Sequence, residues 1–463
     1  MITEKLQAYY DSLKGKKVFF LGAGRSHRQL IEKYAGLGAE VTLCDKKSLE
    51  QLGDLGKKYA DLGVKFCLGD RYLDSLCDAD IIFRTPGIDW TKPEIQKAIA
   101  AGVTVTSEME SFFDFCPCMI IGVTGSDGKT TTTTVIATVL KEAGFKVHLG
   151  GNLGVPLFPI IDEVEPADIA VVELSSFQLI SMRKSPHIAV VTNVTPNHLD
   201  HHKDMAEYIG AKANIVKYQN YNDIAVFNAE NDVTRDMSKL ARGEVRWFSK
   251  CRHVGNGAFL DEQKHLWGVD CGNEYHVMDL NGIKLRGDHN KENLSTAYAA
   301  VKGLVDDETF MKVAKSFPGV EHRIEFVRKI NDVDYYNDSI GTSPTRTIAG
   351  LRSFTEPMIL IAGGYDKKIS YAPLAEEIMR SSVKTVLLCG ATAARIDEEI
   401  RKCDPECKIC IEHLQDVPAC VKRAHEIAVP GDVVFFSPAS ASFDLYVDFE
   451  ARGRHFKQLV KDL

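Results

Sequence analysis

Gly122, Gly125 and Gly128 precede Lys129 and Thr130 in the stretch IGVTGSDGKTTTTTV. Closely set glycines followed by a lysine and a hydroxyl residue have the chemistry of a phosphate cradle. The glycines let backbone N–H groups converge on phosphate oxygens, the lysine balances their charge, and the hydroxyl ligates magnesium. The usual spacing, G-x-x-x-x-G-K-[ST], is not met, because Val123 stands where the first glycine belongs. Thr124, Gly125, Ser126, Asp127, Gly128, Lys129, Thr130 and Thr131 are the residues that would line this variant loop.

Further along, Glu173 ends the apolar run ADIAVVE, and Asn193 and His198 follow HIAVV. A carboxylate at a strand terminus beside a phosphate loop suits a second magnesium contact. His198, His201 and His202 have spacings that would also suit zinc. Neighbouring phosphates favour oxygen-rich magnesium coordination instead, and at least two of these histidines are expected to be solvated. Cys403, Cys407, Cys410 and His413 form another candidate cluster. KICIEH alternates as a strand does, which sends its side chains to opposite faces, and no metal is expected there.

The elements that must position these groups read clearly. Met119–Thr124 is a buried strand, and the helix from Thr130 is closed by Gly144. Five consecutive threonines are poor helix formers. They make sense at a helix start whose hydroxyls and N–H groups face a phosphate and its metal. Before this, KKVFFLGAGRSH is a strand followed by Gly22 and Gly24, and AEVTLCD ends at Asp45. That is the layout of a nucleotide-binding βαβ unit, although His27 occupies the place of the third fingerprint glycine. NAD and a different diphosphate both remain open for this segment. ADIIFRTPGID adds a strand and a turn at the same sheet edge. After KSFPGVEHR, the runs PMILIAGG, VKTVLLCG, CKICIEH and DVVFFSPAS alternate with helical stretches. The fold class is therefore α/β, with three consecutive domains. Residues 1–107 are expected to be Rossmann-like, 108–319 a P-loop ATPase-like parallel sheet, and 320–463 Rossmann-like again. No sequence repeat accompanies this likeness.

Composition narrows the setting. A chain of 463 residues is too long for one ordinary domain, and 44% hydrophobic with 26% charged residues suits a globular protein. A formal charge of −8 argues against non-specific nucleic-acid binding. No run approaches the roughly 20 apolar residues of a membrane span. MITEKLQAYYDSLKGKK lacks the apolar core of a signal peptide, so a cytoplasmic protein is expected. Its twelve scattered cysteines need no disulfide framework.

Taken in order, TGSDGKTT, ELSSFQL, NVTPNHLDHH, DHNKEN and PGVEHR resemble the Mur ligase family over essentially the whole chain. These are ATP-dependent amide ligases of peptidoglycan precursor synthesis. GAGRS with TPGI, NDSIGTSPT, AGGYDK and SPASASFDLYVDFEARGRHF are most similar to the branch that adds D-glutamate to UDP-N-acetylmuramoyl-L-alanine. The resemblance implies phosphorylation of the muramoyl carboxylate by ATP and attack of the amino acid on the acyl phosphate. It implies catalytic roles for Lys129, Lys212 and His198, and two magnesium sites. Thr130 and Glu173 match ligands of one, and His198 matches a ligand of the other. Lys212, in YIGAKANIV, matches a lysine carbamylated by CO2, whose carboxylate binds metal; its own context reads as an ordinary exposed helix lysine. Asn290 and Asn293 would lie near adenine, Arg323 on phosphate and Asp338 on ribose, with the third domain closing over the nucleotide.

For the UDP-linked substrate, the resemblance implies Gly24, Arg25 and Ser26 by the diphosphate or uracil, and Asp45 and Lys46 at the nucleoside end. Asn152 and His198 would face the muramoyl portion. Thr342, Lys367, Ser442 and Phe449 would receive D-glutamate. Two departures stand out. Ile340 replaces a lysine common in the family, with Arg346 nearby as a substitute cation, and Asp127 replaces a common asparagine. Alternatives are a simple P-loop ATPase, a dehydrogenase resting on Gly22 and Gly24, and a sibling ligase with another acceptor. A monomer is expected.

Overall fold

Short apolar runs that end in glycine or a polar residue become the strands of three sheets in the computed structural model. It describes residues 3–152, 154–199, 201–406 and 408–463. Two compact units result, one of Met1–Asp279 with Glu292–Val313 and the other of Leu280–Lys291 with Ala314–Leu463.

The first unit holds two sheets. Strands β1 (Lys17–Leu21), β2 (Glu40–Asp45), β3 (Lys65–Leu68), β4 (Ile81–Arg84) and β5 (Thr104–Thr106) form a parallel sheet in the order β3-β2-β1-β4-β5. The order reverses beside β1, so a crevice opens where β1 and β4 end. The second sheet comprises β6 (Met119–Thr124), β7 (Val147–Gly151), β8 (Ile169–Glu173), β9 (Ile188–Val191), β10 (Ile224–Asn228), β11 (Glu244–Ser249), β12 (Gly257–Leu260), β13 (His265–Asp270) and β14 (Asn273–Asp279). Its order is β14-β13-β12-β11-β10-β9-β6-β8-β7. From β7 through β12 the neighbours are parallel, and β13 and β14 extend the edge antiparallel. That edge departs from the all-parallel expectation. Cys271 and Gly272 turn between β13 and β14 with φ of 48° and 85°, which matches the twist of a tight hairpin.

One apolar core runs through both sheets of this unit. Phe20, Tyr34, Phe83 and Phe112 belong to the same buried cluster as Leu157, Phe158 and Ile161. Each such side chain contributes about 1.5–3 kcal/mol on burial. Tyr10 and Lys33 add polar ties, each placing its tip 2.7 Å from the Asp162 carboxylate.

The second unit is built on β15 (Glu325–Ile330), β16 (Val333–Asn337), β17 (Met358–Ala362), β18 (Val383–Leu388), β19 (Cys410–His413) and β20 (Val433–Phe436), in the order β15-β16-β20-β17-β18-β19. All pairs are parallel except β15 with β16. Asn331 and Asp332 both adopt positive φ in the turn joining those two, so a hairpin edge is added to the Rossmann-like sheet.

Candidate active site

The phosphate loop follows β6, whose six residues are buried beyond Met119, and leads into the helix Lys129–Glu142. The threonines there do not fray the helix. Thr133, Thr134 and Thr138 donate their hydroxyls to the carbonyls of Lys129, Thr130 and Thr134, at 2.7–2.8 Å. Gly144, at φ 92°, ends it, and Phe145 N–H bonds back to Leu140 O at 3.0 Å. The segment after β9 clamps the loop. Ser126 N–H donates to Asn193 O (2.8 Å), Asp127 N–H to Asn193 Oδ1 (3.0 Å), and Thr192 Oγ1 to Asp127 O (2.6 Å). Gly125 and Gly128 have φ of 152° and 78°. A Cβ at Gly125 would strike Thr192 Oγ1, and one at Gly128 would strike Asn293 Oδ1. Only glycine fits both.

Beside the loop, Thr130 Oγ1 donates to Glu173 Oε2 at 2.7 Å, and Asn152 Nδ2 donates to Glu173 Oε1 at 2.7 Å. Glu173 is buried at the end of β8. Asn152, matched to the muramoyl portion, is thus tied to a candidate magnesium ligand. Lys129 Nζ donates to the carbonyls of Gly125 and Ser126, both at 2.9 Å.

Lys212 reverses the reading of its local sequence. It lies on the helix Met205–Lys217, is 2% exposed, and donates to Gly125 O at 2.8 Å and Thr124 Oγ1 at 3.4 Å. Its Nζ lies 4.8 Å from the Tyr208 ring centroid. Burial, reinforced by the Lys129 charge, pulls the amine down to about 7. Periodicity alone does not reveal this burial, because it depends on the helix lying beneath the loop.

The three histidines separate. His198, at φ 55°, and His201 are exposed, whereas His202 is buried between Ser176 Oγ (2.9 Å) and Glu207 Oε2 (3.2 Å). Phe177 joins them, with its ring stacked on His202 and edge-on to His198 at 5.3 Å.

At the crevice between β1 and β4, Gly22 takes φ 93° and Gly24 begins the helix Arg25–Gly36 without a side-chain cap. The first N–H groups of that helix, at Arg25 and Ser26, are suited to an anion. Asp45 accepts from Ala23 N–H (2.8 Å) and Lys47 N–H (2.9 Å), so its carboxylate shapes the glycine turn, while Lys46 is exposed. His27, in the third fingerprint position, is fully buried and bonds Gly22 O at 2.9 Å, and burial lowers it to about 4.

In the second unit, Lys367 Nζ donates to Thr342 O at 3.2 Å, and Arg346 Nη1 donates to Ile340 O at 3.2 Å. Two expected acceptor-site residues therefore meet, and the substitute cation is bonded to Ile340, two residues before Thr342. Burial, then the charges of Arg346 and Arg452, lower the Lys367 amine from its usual range. Asp338 accepts from Ser437 Oγ (2.7 Å) and Ile324 N–H (3.2 Å), and burial raises its carboxyl to about 7. Arg323 lies close enough for its charge to act on Asp338. Asn290 Nδ2 donates to Arg286 O at 2.6 Å. Ser442 is buried, and Phe449 starts the helix Phe449–Lys461. Sequence reading missed Arg452, which is 2% exposed. It donates to Ser339 Oγ (3.1 Å), Ser339 O (2.9 Å), Ser440 O (3.1 Å) and Ala441 O (3.0 Å).

Cys403 and Cys410 are exposed and His413 pairs with Asp397 at 2.8 Å, while Cys407 lies outside the described residues. The residues of the loop do fit ATP and magnesium. Its glycines leave a cradle that a Cβ would fill, and Thr130 with Glu173 offers only oxygen donors.

This constellation has counterparts. Residues 16–107 match the Mur ligase MurD-like N-terminal domain, 123–301 the Mur ligase middle domain, and 322–440 the Mur ligase glutamate ligase domain. The chain belongs to the Mur ligase family. Among curated relatives, the UDP-N-acetylmuramoylalanine--D-glutamate ligase of Clostridium kluyveri is 47% identical over 97% of this chain and 98% of its own. The enzyme of the same name from Acetivibrio thermocellus is 47% identical, with 99% of each chain covered. Solved structures share the fold at lower identity. UDP-N-acetylmuramate-alanine ligase of Thermotoga maritima superposes with a TM-score of 0.57 at 18% identity, covering 96% of this chain and 99% of its own. A UDP-N-acetylmuramoyl-L-alanyl-D-glutamate--2,6-diaminopimelate ligase gives 0.58 at 17%, covering 98% and 94%.

Proposed function

We propose that the chain joins D-glutamate to UDP-N-acetylmuramoyl-L-alanine at the expense of ATP, through an acyl phosphate, in peptidoglycan precursor synthesis. The observation that carries this reading is 47% identity, over 97% of the chain, to a ligase named for that reaction. Residues 1–107 take the UDP end of the substrate, 108–319 the ATP, and 320–463 the amino acid. ATP supplies the phosphoryl group that activates the carboxylate, and magnesium disperses its charge.

The side chains have distinct tasks. Lys129 and the loop N–H groups hold phosphate oxygens, with Asn290 and Asn293 by the adenine, Arg323 on phosphate and Asp338 on ribose. Thr130 and Glu173 hold one magnesium; His198 and carbamylated Lys212 serve a second. The depressed Lys212 amine supports carbamylation, since CO2 adds only to a neutral amine, which releases one proton and leaves a carboxylate. Gly24, Arg25, Ser26, Asp45 and Lys46 form the nucleotide end, and Asn152 faces the muramoyl portion. Lys367 and Arg346 supply cations for the two carboxylates of D-glutamate, beside Thr342, Ser442 and Phe449. In this reading the protein is a cytoplasmic monomer. Among the described residues no helix is long and apolar enough to cross a membrane.

Phosphate release and amide formation test the reading, using ATP, UDP-N-acetylmuramoyl-L-alanine and one of D-glutamate, L-glutamate or meso-diaminopimelate. Product with D-glutamate alone is expected. Product with another acceptor alone would keep the ligase and replace the acceptor.

A further inference from the structure

Arg84, the last residue of β4, is 2% exposed and faces two ways. Nη1 donates to the carbonyls of Thr85 (3.3 Å) and Ile88 (2.7 Å), which bracket the Thr85-Pro86-Gly87 turn. Nη2 donates to Phe177 O (3.0 Å) and Ser181 Oγ (3.1 Å), in the segment that follows Glu173. Ser181 Oγ in turn donates to Glu110 at 3.2 Å, and the Trp90 ring lies 5.5 Å from the guanidinium.

Each end of this bridge meets a functional feature. The Thr85 side chain overlies the glycine turn, since a Cβ added at Gly22 or Gly24 would lie 3.5 or 3.8 Å from Thr85 Cγ2. At the other end, Phe177 packs against His198 and His202. A buried cation is a poor source of net stability compared with an apolar side chain of similar volume. What its planar fork of donors provides is fixed geometry between the groups it joins.

We infer that Arg84 is a positioning residue that sets the separation between the nucleotide-diphosphate crevice and the phosphoryl-transfer end of the same unit. A substrate with a nucleoside diphosphate at one end and a carboxylate at the other must span both, so the bridge gauges its length. The inference rests on the ligase reading. It assigns no contact between Arg84 and substrate.

Three ligands separate this role from general stability, because UDP occupies only the crevice, ATP only the loop, and UDP-N-acetylmuramoyl-L-alanine spans the two. Affinities for each are measured by calorimetry on Arg84→Met, Arg84→Lys and Ser181→Ala, together with kcat and KM. Arg84→Met is expected to weaken the spanning substrate about tenfold or more, or to cut kcat by that factor, while UDP and ATP change less than about twofold. Arg84→Lys, which keeps the charge but loses the fork, falls between Met and wild type. Ser181→Ala, lacking one contact, shows the same ordering more weakly and serves if Arg84→Met does not fold. Unchanged kcat/KM and affinity for the spanning substrate would overturn the inference, as would equal losses for all three ligands. Failure of the wild type to form an amide would instead strike the ligase reading, and the affinity comparison would still report on Arg84.

Discussion

Lys129 and Lys212 donate to the same acceptor, the carbonyl oxygen of Gly125, at 2.9 and 2.8 Å. Burial pulls the Lys212 amine down, and the charge of Lys129 at the same carbonyl adds to the effect. Their roles should separate on substitution. Lys129→Ala is expected to lose ATP binding together with activity. Lys212→Ala should keep ATP binding and lose activity by ~100-fold or more. Stripping CO2 from the buffer should slow the wild type reversibly. Activity of the wild type that is indifferent to CO2 would remove the carbamate from the mechanism.

Gly128 holds a left-handed conformation against Asn293, and Gly125 sits against Thr192. Alanine at either position should cost about 1–3 kcal/mol in urea unfolding through backbone strain. ATP affinity should fall further than stability does, because the loop N–H groups would no longer converge. Normal ATP affinity in both variants would contradict the cradle.

Arg346, proposed to stand in for the cation absent at Ile340, donates to the Ile340 carbonyl, and its charge acts on Lys367, which donates to Thr342 O. Arg346→Ala should raise KM for D-glutamate about tenfold or more, with little change in KM for ATP. Adding Ile340→Lys should restore part of the loss. An unchanged acceptor KM in the single variant would leave Lys367 as the cation to test.

Glu108, buried in the first unit, accepts from the N–H groups of Leu157 (2.7 Å) and Phe158 (2.8 Å), and burial raises its carboxyl from 4.5 to about 7. Between those values the folded state binds more protons than the unfolded one, so this group lowers stability as pH rises from about 4.5 to about 7. Glu108→Gln keeps an oxygen acceptor without the titration. It should gain about 1–3 kcal/mol over wild type at pH 8 and little at pH 4. His27 acts in the opposite direction over an overlapping range, so the difference between variant and wild type is the quantity to read.

The phosphate loop and its flanking strand and helix were legible because their geometry is local: glycine, lysine and threonine at fixed spacing admit few conformations. Glu173 was legible for a similar reason, as a carboxylate ending a buried strand. The burial of Lys212 was not, since nothing in YIGAKANIV says which face of the helix lies under the loop. Arg84 and Arg452 escaped notice because long-range packing alone gives them their partners. Likewise, His202 differs from its exposed neighbours only through Ser176, Glu207 and the Phe177 ring. The β13–β14 and β15–β16 hairpins were masked by turns without the usual Asn-Gly signal.

Arg452 stitches the segment at Ser339 to the segment at Ser440 and Ala441 with five bonds from one guanidinium. Segments just over a hundred residues apart in the chain are therefore held together by one side chain. A change of amino-acid preference through one of them alone would strain the other. On the proposed assignment of Thr342 and Ser442 to D-glutamate, acceptor choice would be exchanged as a cassette, with both segments and their shared arginine transplanted together.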